Sequence, residues 1–164
     1  KMINLAIELL DLNIEDEVID LFCGLGNFTL PISRYVKRIV GIEGDSGLVE
    51  RAKENAKMNE VSNASFYKAD LFENVSGFEW FRGQKYNKAL IDPARTGAIE
   101  IVELLPKLSI ERLVYVSCNP ATLARDTARL IELGFSLMSA GVMDMFPQTA
   151  HVESIALFIR KKNA

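Results

Sequence analysis

"EVIDLFCGLGNFTLP", residues 17–31, runs from an apolar, β-branched stretch into a glycine-punctuated turn and on into residues of helical character. A strand that closes in a tight turn and feeds a helix is the opening unit of a parallel α/β sheet. Gly24 and Gly26 allow the backbone to turn sharply and let a second molecule come close to it. The turn reads G-x-G-x-x-T, with Thr29 standing where a dinucleotide fingerprint has its third glycine. Glycines also make ordinary turns at strand ends, so the rest of the chain decides what this one does.

Outward from that stretch, β-rich apolar runs recur at 38–43, 64–69, 86–92 and 111–117. Helix-like segments at 28–36, 46–59, 98–108 and 120–133 lie between most of them, and the link over 71–85 is less regular. Residues 2–12 have apolar positions at helical spacing and read as an amphipathic helix. Strands alternating with helices predict an α/β fold with a mostly parallel sheet and helices on both faces. After 133 the pattern changes: 135–146 and 152–160 are two apolar runs with no helix between, which predicts a C-terminal antiparallel hairpin. Five parallel units and a hairpin resemble a class I methyltransferase, Rossmann-like sheet more than a standard dinucleotide fold. No internal repeat, low-complexity tract or linker divides residues 1–164, so one domain is expected.

Composition narrows the function classes. With 49% hydrophobic and 25% charged residues among 164, the chain is an ordinary globular protein without an apolar run of membrane-spanning length. Its two cysteines lack metal-like spacing, which predicts reduced thiols in a cytoplasmic protein and no disulfide, zinc or iron–sulfur site made by this chain. A net charge of −3 and an isoelectric point near 5.3 argue against a free-standing nucleic-acid binder, which is usually basic. The objection weakens if the chain is part of a larger protein, which the opening "KMINL" makes plausible.

In such sheets, ligands bind beyond the carboxyl ends of the strands. The residues there are Asp20 to Asn27, then Glu43, Asp70, Asp92-Pro93, and Ser117 to Pro120. Glu43 suits two ribose hydroxyls, whether of NAD or of S-adenosylmethionine; the alternative is a solvated strand-end acid. Asp70 suits the adenine amine of S-adenosylmethionine, against a cap or plain surface acid. Four carboxylates (Asp20, Glu43, Asp70, Asp92) would repel a dinucleotide's phosphates yet tolerate a sulfonium, so together the strand ends favour S-adenosylmethionine.

"YVSCNPATLARD", residues 115–126, sets Cys118 just before a helix start, with Asn119 as cap and Pro120 in the first turn. A thiol at a helix N-terminus gains thiolate character, so Cys118 reads as a nucleophile; simple packing of a small apolar side chain stands beside that reading. Cys23, inside the glycine turn, is read as structural. In Asp92-Pro93-Ala94-Arg95, Ala94 and Arg95 replace the second proline and the aromatic of adenine-amine methyltransferases, which argues against amine chemistry. Glu153 and His151, before the last strand, read by themselves as a solvated acid and a structural histidine.

Four ordered stretches, "DLFCGLGNFTLP", "DPAR", "SCNPATLARD" and "DMFPQTAHVES", closely resemble the S-adenosylmethionine-dependent RNA 5-methyluridine methyltransferases, nearest the branch acting on bacterial 23S ribosomal RNA. The resemblance spans nearly everything from residue 17 onward. It implies S-adenosyl-L-methionine as cofactor and ribosomal RNA as partner, with transfer RNA as the alternative; a monomer is expected because no segment of the sequence advertises an obligate oligomer interface. It further implies Cys118 as the nucleophile that adds to uracil C6, and Glu153 as acceptor of the C5 proton. Phe22, Asn27, Glu43, Asp70 and Asp92 match the cofactor-contacting set, with Gly24 and Gly26 shaping the turn and Asp92 helping to orient the base. Members of the family carry upstream RNA-gripping domains, some with an iron–sulfur cluster, and a phenylalanine–x–glutamine–x–asparagine stretch that these residues lack. The expectation is therefore a catalytic domain that folds, with RNA affinity and turnover depending on other segments.

Overall fold

The computed structural model describes residues 1–144 and 152–160. Seven strands form one sheet: β1 (Glu17–Leu21), β2 (Arg38–Glu43), β3 (Ala64–Lys68), β4 (Lys88–Ile91), β5 (Arg112–Ser117), β6 (Phe135–Asp144) and β7 (Val152–Arg160). Their spatial order is β3-β2-β1-β4-β5-β7-β6. Strands β1 to β5 run parallel, whereas β7 lies antiparallel to both β5 and β6. The antiparallel C-terminal pair expected from the sequence is present. Its last strand, however, enters between β5 and β6 and leaves β6 at the edge. The burial pattern explains that placement. Central β7 carries the buried run Ile155 to Phe158, while β6 exposes Leu137, Met138 and Val142.

Helices cover both faces. On one, α1 (Met2–Leu10) and α2 (Thr29–Ser33) close over Val18, Ile39, Leu90 and Val114, and α3 (Ser46–Met58) buries Val49, Ala52 and Ala56 against Phe66. On the other, α4 (Ile99–Val102), a 3-10 turn (Leu105–Leu108) and α5 (Pro120–Glu132) cover Ile19, Leu21, Ile91 and Tyr115. The predicted helix at 28–36 shortens to 29–33, and the one at 98–108 breaks into two pieces. Pro106 sits in the second piece, and the left-handed Ser109 (φ 66°) ends it.

Two details bear on function. The chain passes from β3, at one edge, to β4 on the far side of β1, so the order reverses between β1 and β4. That reversal opens a crevice at the carboxyl ends of those two strands. The C-terminal end of α1 is tied down as well: Arg112 Nε donates to the Leu9 carbonyl at 2.7 Å and Lys88 Nζ to the Asp11 carbonyl. Lys88 also pairs with the buried Asp16 at 2.7 Å.

Candidate active site

Each candidate side chain reaches the crevice because a ladder ends there. Leu21 pairs with Ile91 across β1 and β4, and one residue further Asp92 donates its N–H to the Leu21 carbonyl at 3.2 Å. Antiparallel pairing of Ser117 with Ser154 makes Cys118 and Glu153 the next opposed positions. Cys118 is then fixed from its C-terminal side. Asn119 caps α5 by accepting from the Ala121 N–H at 3.1 Å, Pro120 occupies the first turn, and Ser117 Oγ bonds both the Asn119 N–H and carbonyl. The capping expected from the sequence is therefore present.

Asn27, Asp92, Cys118 and Glu153 line one cleft of about 480 Å³, with Lys1, Met2, Ile3, Phe28 and Val116 as further walls. Four of the residues singled out in the sequence thus come together from four separate segments. The start of α1 was not foreseen as a wall. Periodicity identified that helix but carried no sign of which strands it would cover.

The glycine turn lies beside the cleft. Gly24 and Gly26 have left-handed φ angles of 55° and 86°, and no heavy atom stands within 4 Å of a Cβ placed on Gly24. The turn's outer side is therefore open backbone, as a closely approaching ligand requires. Glu43 grips the turn: its Oε2 accepts from the Gly24 N–H and its Oε1 from the Asp45 N–H, both at 3.0 Å. Phe22 adopts φ 65° and stacks at a tilt on Phe72, with ring centroids 5.7 Å apart. Asp70 is exposed and accepts from the Phe72 N–H at 3.0 Å, closing a small turn. Glu43 and Asp70 do not line the cleft; they stand further along the rim. Phe72 went unnoticed in the sequence, although an aromatic two residues after a strand-end acid is the signal that would have found it.

The rim is electrostatically tense. Burial pushes the Asp20 carboxyl up to about 7, against a 2.5 Å hydrogen bond from Thr29 Oγ1 and with the charges of Asp92 and Glu43 adding to the rise. Its Oδ1 is buried and has no hydrogen-bond partner among the described residues. Asp92 is raised to about 6, first by burial and then by the charge of Glu153. Crowded carboxylates suit a cationic ligand and oppose a polyphosphate. Cys23 is packed among Val49, Ala52, Ala56 and Phe66, and burial followed by the Asp20 and Glu43 charges drives its thiol far above the ordinary range. It stays a protonated packing residue, as read from the sequence. His151 lies outside the described residues. No cluster of three or more metal-ligating side chains occurs among the described residues, and no described helix is long and apolar enough to cross a membrane.

Strand order, crevice and glycine turn together define a class I methyltransferase fold. A precorrin-6y C5,15-methyltransferase from Geobacter metallireducens superposes with a TM-score of 0.80 over 96% of this chain and 88% of its own, at 13% identity, which is a likeness of fold. The sequence model of the tRNA (uracil-5-)-methyltransferase family matches residues 1–162, and the chain belongs to that family. It is 71% identical over 161 residues to the 23S rRNA (uracil(1939)-C(5))-methyltransferase RlmD of Vesicomyosocius okutanii, covering 98% of this chain and 37% of the relative. Against the protein of the same name from Xanthomonas oryzae the identity is 57%, with 98% of this chain and 36% of the relative covered. The chain thus spans a little over a third of these relatives. The Pyrococcus abyssi tRNA (uracil-54, C5)-methyltransferase, solved with S-adenosyl-L-homocysteine, matches at 28% identity and a TM-score of 0.78, over 95% of this chain and 37% of its own.

Proposed function

We propose that these residues form the catalytic domain of an RNA methyltransferase that moves a methyl group from S-adenosyl-L-methionine to C5 of a uridine in ribosomal RNA. The observation that carries this reading is the meeting of Cys118, Glu153, Asp92 and Asn27 in one cleft beside an open glycine turn. Relatives named for 23S ribosomal uracil favour ribosomal over transfer RNA. Two free thiols, one deeply buried, agree with action in the cytoplasm. The protein acts as a monomer in this reading.

Phe22, Gly24, Gly26, Asn27, Glu43, Asp70 and Asp92 would hold the cofactor. The turn gives it open backbone, Glu43 and Asp70 give acceptors for ribose and adenine, and the acidic rim favours its positive charge. When bound, it supplies an electrophilic methyl group on a sulfonium.

Uracil C5 is a weak nucleophile and needs activation. The Cys118 thiolate adds through Sγ to C6, and the C5–C6 π electrons pass into an enolate over C5 and O4. C5 then carries nucleophilic character, ready for the electrophilic methyl group that the bound cofactor would supply. The Glu153 carboxylate accepts the C5 proton, the C5–C6 double bond reforms, and Sγ leaves as thiolate. Asp92, raised only to about 6, stays largely ionised at neutral pH and offers carboxylate oxygens that accept a hydrogen bond from the base.

Replacement of Cys118 by Ala in the complete protein tests the assignment. Methyl transfer to ribosomal RNA should fall below detection while the affinity for S-adenosylhomocysteine changes by less than about twofold. Retained methylation would remove Cys118 from the chemistry.

A further inference from the structure

Between Asp92 and α5 the chain runs through Pro93-Ala94-Arg95-Thr96-Gly97-Ala98, a segment without regular structure of its own. Its backbone is nevertheless held at successive positions by side chains from one face of α5. Asn119 Nδ2 and Thr122 Oγ1 donate to the Arg95 carbonyl at 3.0 and 3.2 Å. Arg125 Nη2 donates to the Thr96 carbonyl at 3.0 Å, and Asp126 Oδ2 accepts from the Ala98 N–H at 2.7 Å. The spacing 119, 122, 125/126 is that of neighbouring helix turns, so the first two turns of α5 hold the loop along its length.

Asp126 is the centre of this arrangement. It is completely buried, the one charged residue beside Leu123 and Leu130 among the buried positions of α5. Besides the Ala98 N–H, its Oδ2 accepts from Tyr115 Oη at 2.6 Å, and its Oδ1 accepts from Arg125 Nε at 2.8 Å. One side chain thus joins β5 three residues before Cys118, the helix that starts just after Cys118, and the loop that starts at Asp92. The fit is close: Gly97 has φ 79°, and a Cβ there would stand 2.6 Å from Arg125 Nη2 and 2.8 Å from Asp126 Oδ2. A buried carboxylate is costly unless fully bonded, and packing alone would have been met by an apolar residue. What the carboxylate adds is a fixed relation between three segments.

We propose that Asp126, with Tyr115 and Arg125, is a positioning residue that sets the Asp92 loop against the Cys118 end of α5, so that nucleophile and base-orienting carboxyl face the same ring. The inference rests on the function proposed above for Cys118 and Asp92. Asp126 itself touches neither substrate nor cofactor.

The test is the rate of covalent attachment to 23S ribosomal RNA transcribed with 5-fluorouridine, in the presence of S-adenosylmethionine. Fluorine at C5 cannot be removed as a proton is, so the methylated adduct persists and its formation reads the attack by Cys118. In the complete protein, at a temperature well below its melting point, Asp126→Asn should form adduct at least ~10-fold more slowly, with the S-adenosylhomocysteine dissociation constant within about twofold of the parent. Tyr115→Phe, which removes one bond and keeps the ring, should slow attachment in the same direction by a smaller factor. It decides the matter if Asp126→Asn does not fold. Adduct formed at the parent rate in both variants would overturn the brace and leave the nucleophile standing. An equal loss of cofactor affinity would overturn it too, since Asp126 would then support the fold at large. A parent protein that forms no adduct would overturn the proposed chemistry, and the brace with it.

Discussion

Asp20 shows how far one residue's surroundings can depart from its place in the sequence. It alternates with Ile19 and Leu21, so it faces the side of the sheet covered by α2, where Thr29 Oγ1 meets it. Its carboxyl rises from an ordinary 3.8 to about 7, chiefly through burial. From about pH 4 to pH 7 the folded chain therefore keeps a proton that the unfolded chain has released, and stability falls as pH rises through that window. Asp92, raised to about 6, contributes with the same sign. The melting temperature should drop between about pH 4 and pH 7, and Asp20→Asn should make that drop shallower without removing it. A variant whose slope matches the parent's would show that Asp20 ionises normally. The sequence placed Asp20 among the strand-end acids but could not show its burial, because the covering helix is supplied by residues after the turn.

At the scale of elements, α5 performs two tasks with one face. Its N-terminal turn presents Cys118, and its side chains hold the 93–98 loop. Asn119 shares in both, capping the helix through Oδ1 and bonding the Arg95 carbonyl through Nδ2. Asn119→Ala should therefore cost about 1–2 kcal/mol in urea unfolding, the upper part of the range for a lost cap because a second bond goes with it. A loss below about 0.5 kcal/mol would mean that neither bond contributes in solution. The cap and the proline were legible from Asn-Pro after a β run. The loop contacts were not, because they join residues 24 to 29 positions apart through irregular backbone that has no period. The same holds for β7. Two apolar runs with no helix between marked it as a strand pairing with β6, while its insertion beside β5 goes with the buried run Ile155 to Phe158.

At the scale of the molecule, the proposed active centre is assembled from both halves of the sheet. The parallel half delivers Asn27 and Asp92 at the β1/β4 reversal, and the antiparallel β7 brings Glu153 back to the end of β5. Order of motifs along the chain announced the parallel half, and the strand ends pointed to Glu43, Asp70 and Asp92. Glu153 had no signal of its own beyond family resemblance, since one glutamate before a strand is usually a surface residue. The Ser117–Ser154 register is what sets it beside Cys118. β6 ends the sheet with exposed Leu137, Met138 and Val142, and none of its described side chains lines the cleft.

The central claim is that Cys118 bonds to the uracil ring while Glu153 waits to remove a proton, and peptide mapping of a trapped adduct tests it most directly. Glu153→Gln in the complete protein, incubated with unmodified 23S ribosomal RNA and S-adenosylmethionine, should accumulate a denaturation-resistant protein–RNA species whose cross-link maps to Cys118, because the intermediate forms but its C5 proton has no acceptor. Absence of any such species, or a cross-link at Cys23, would contradict the account.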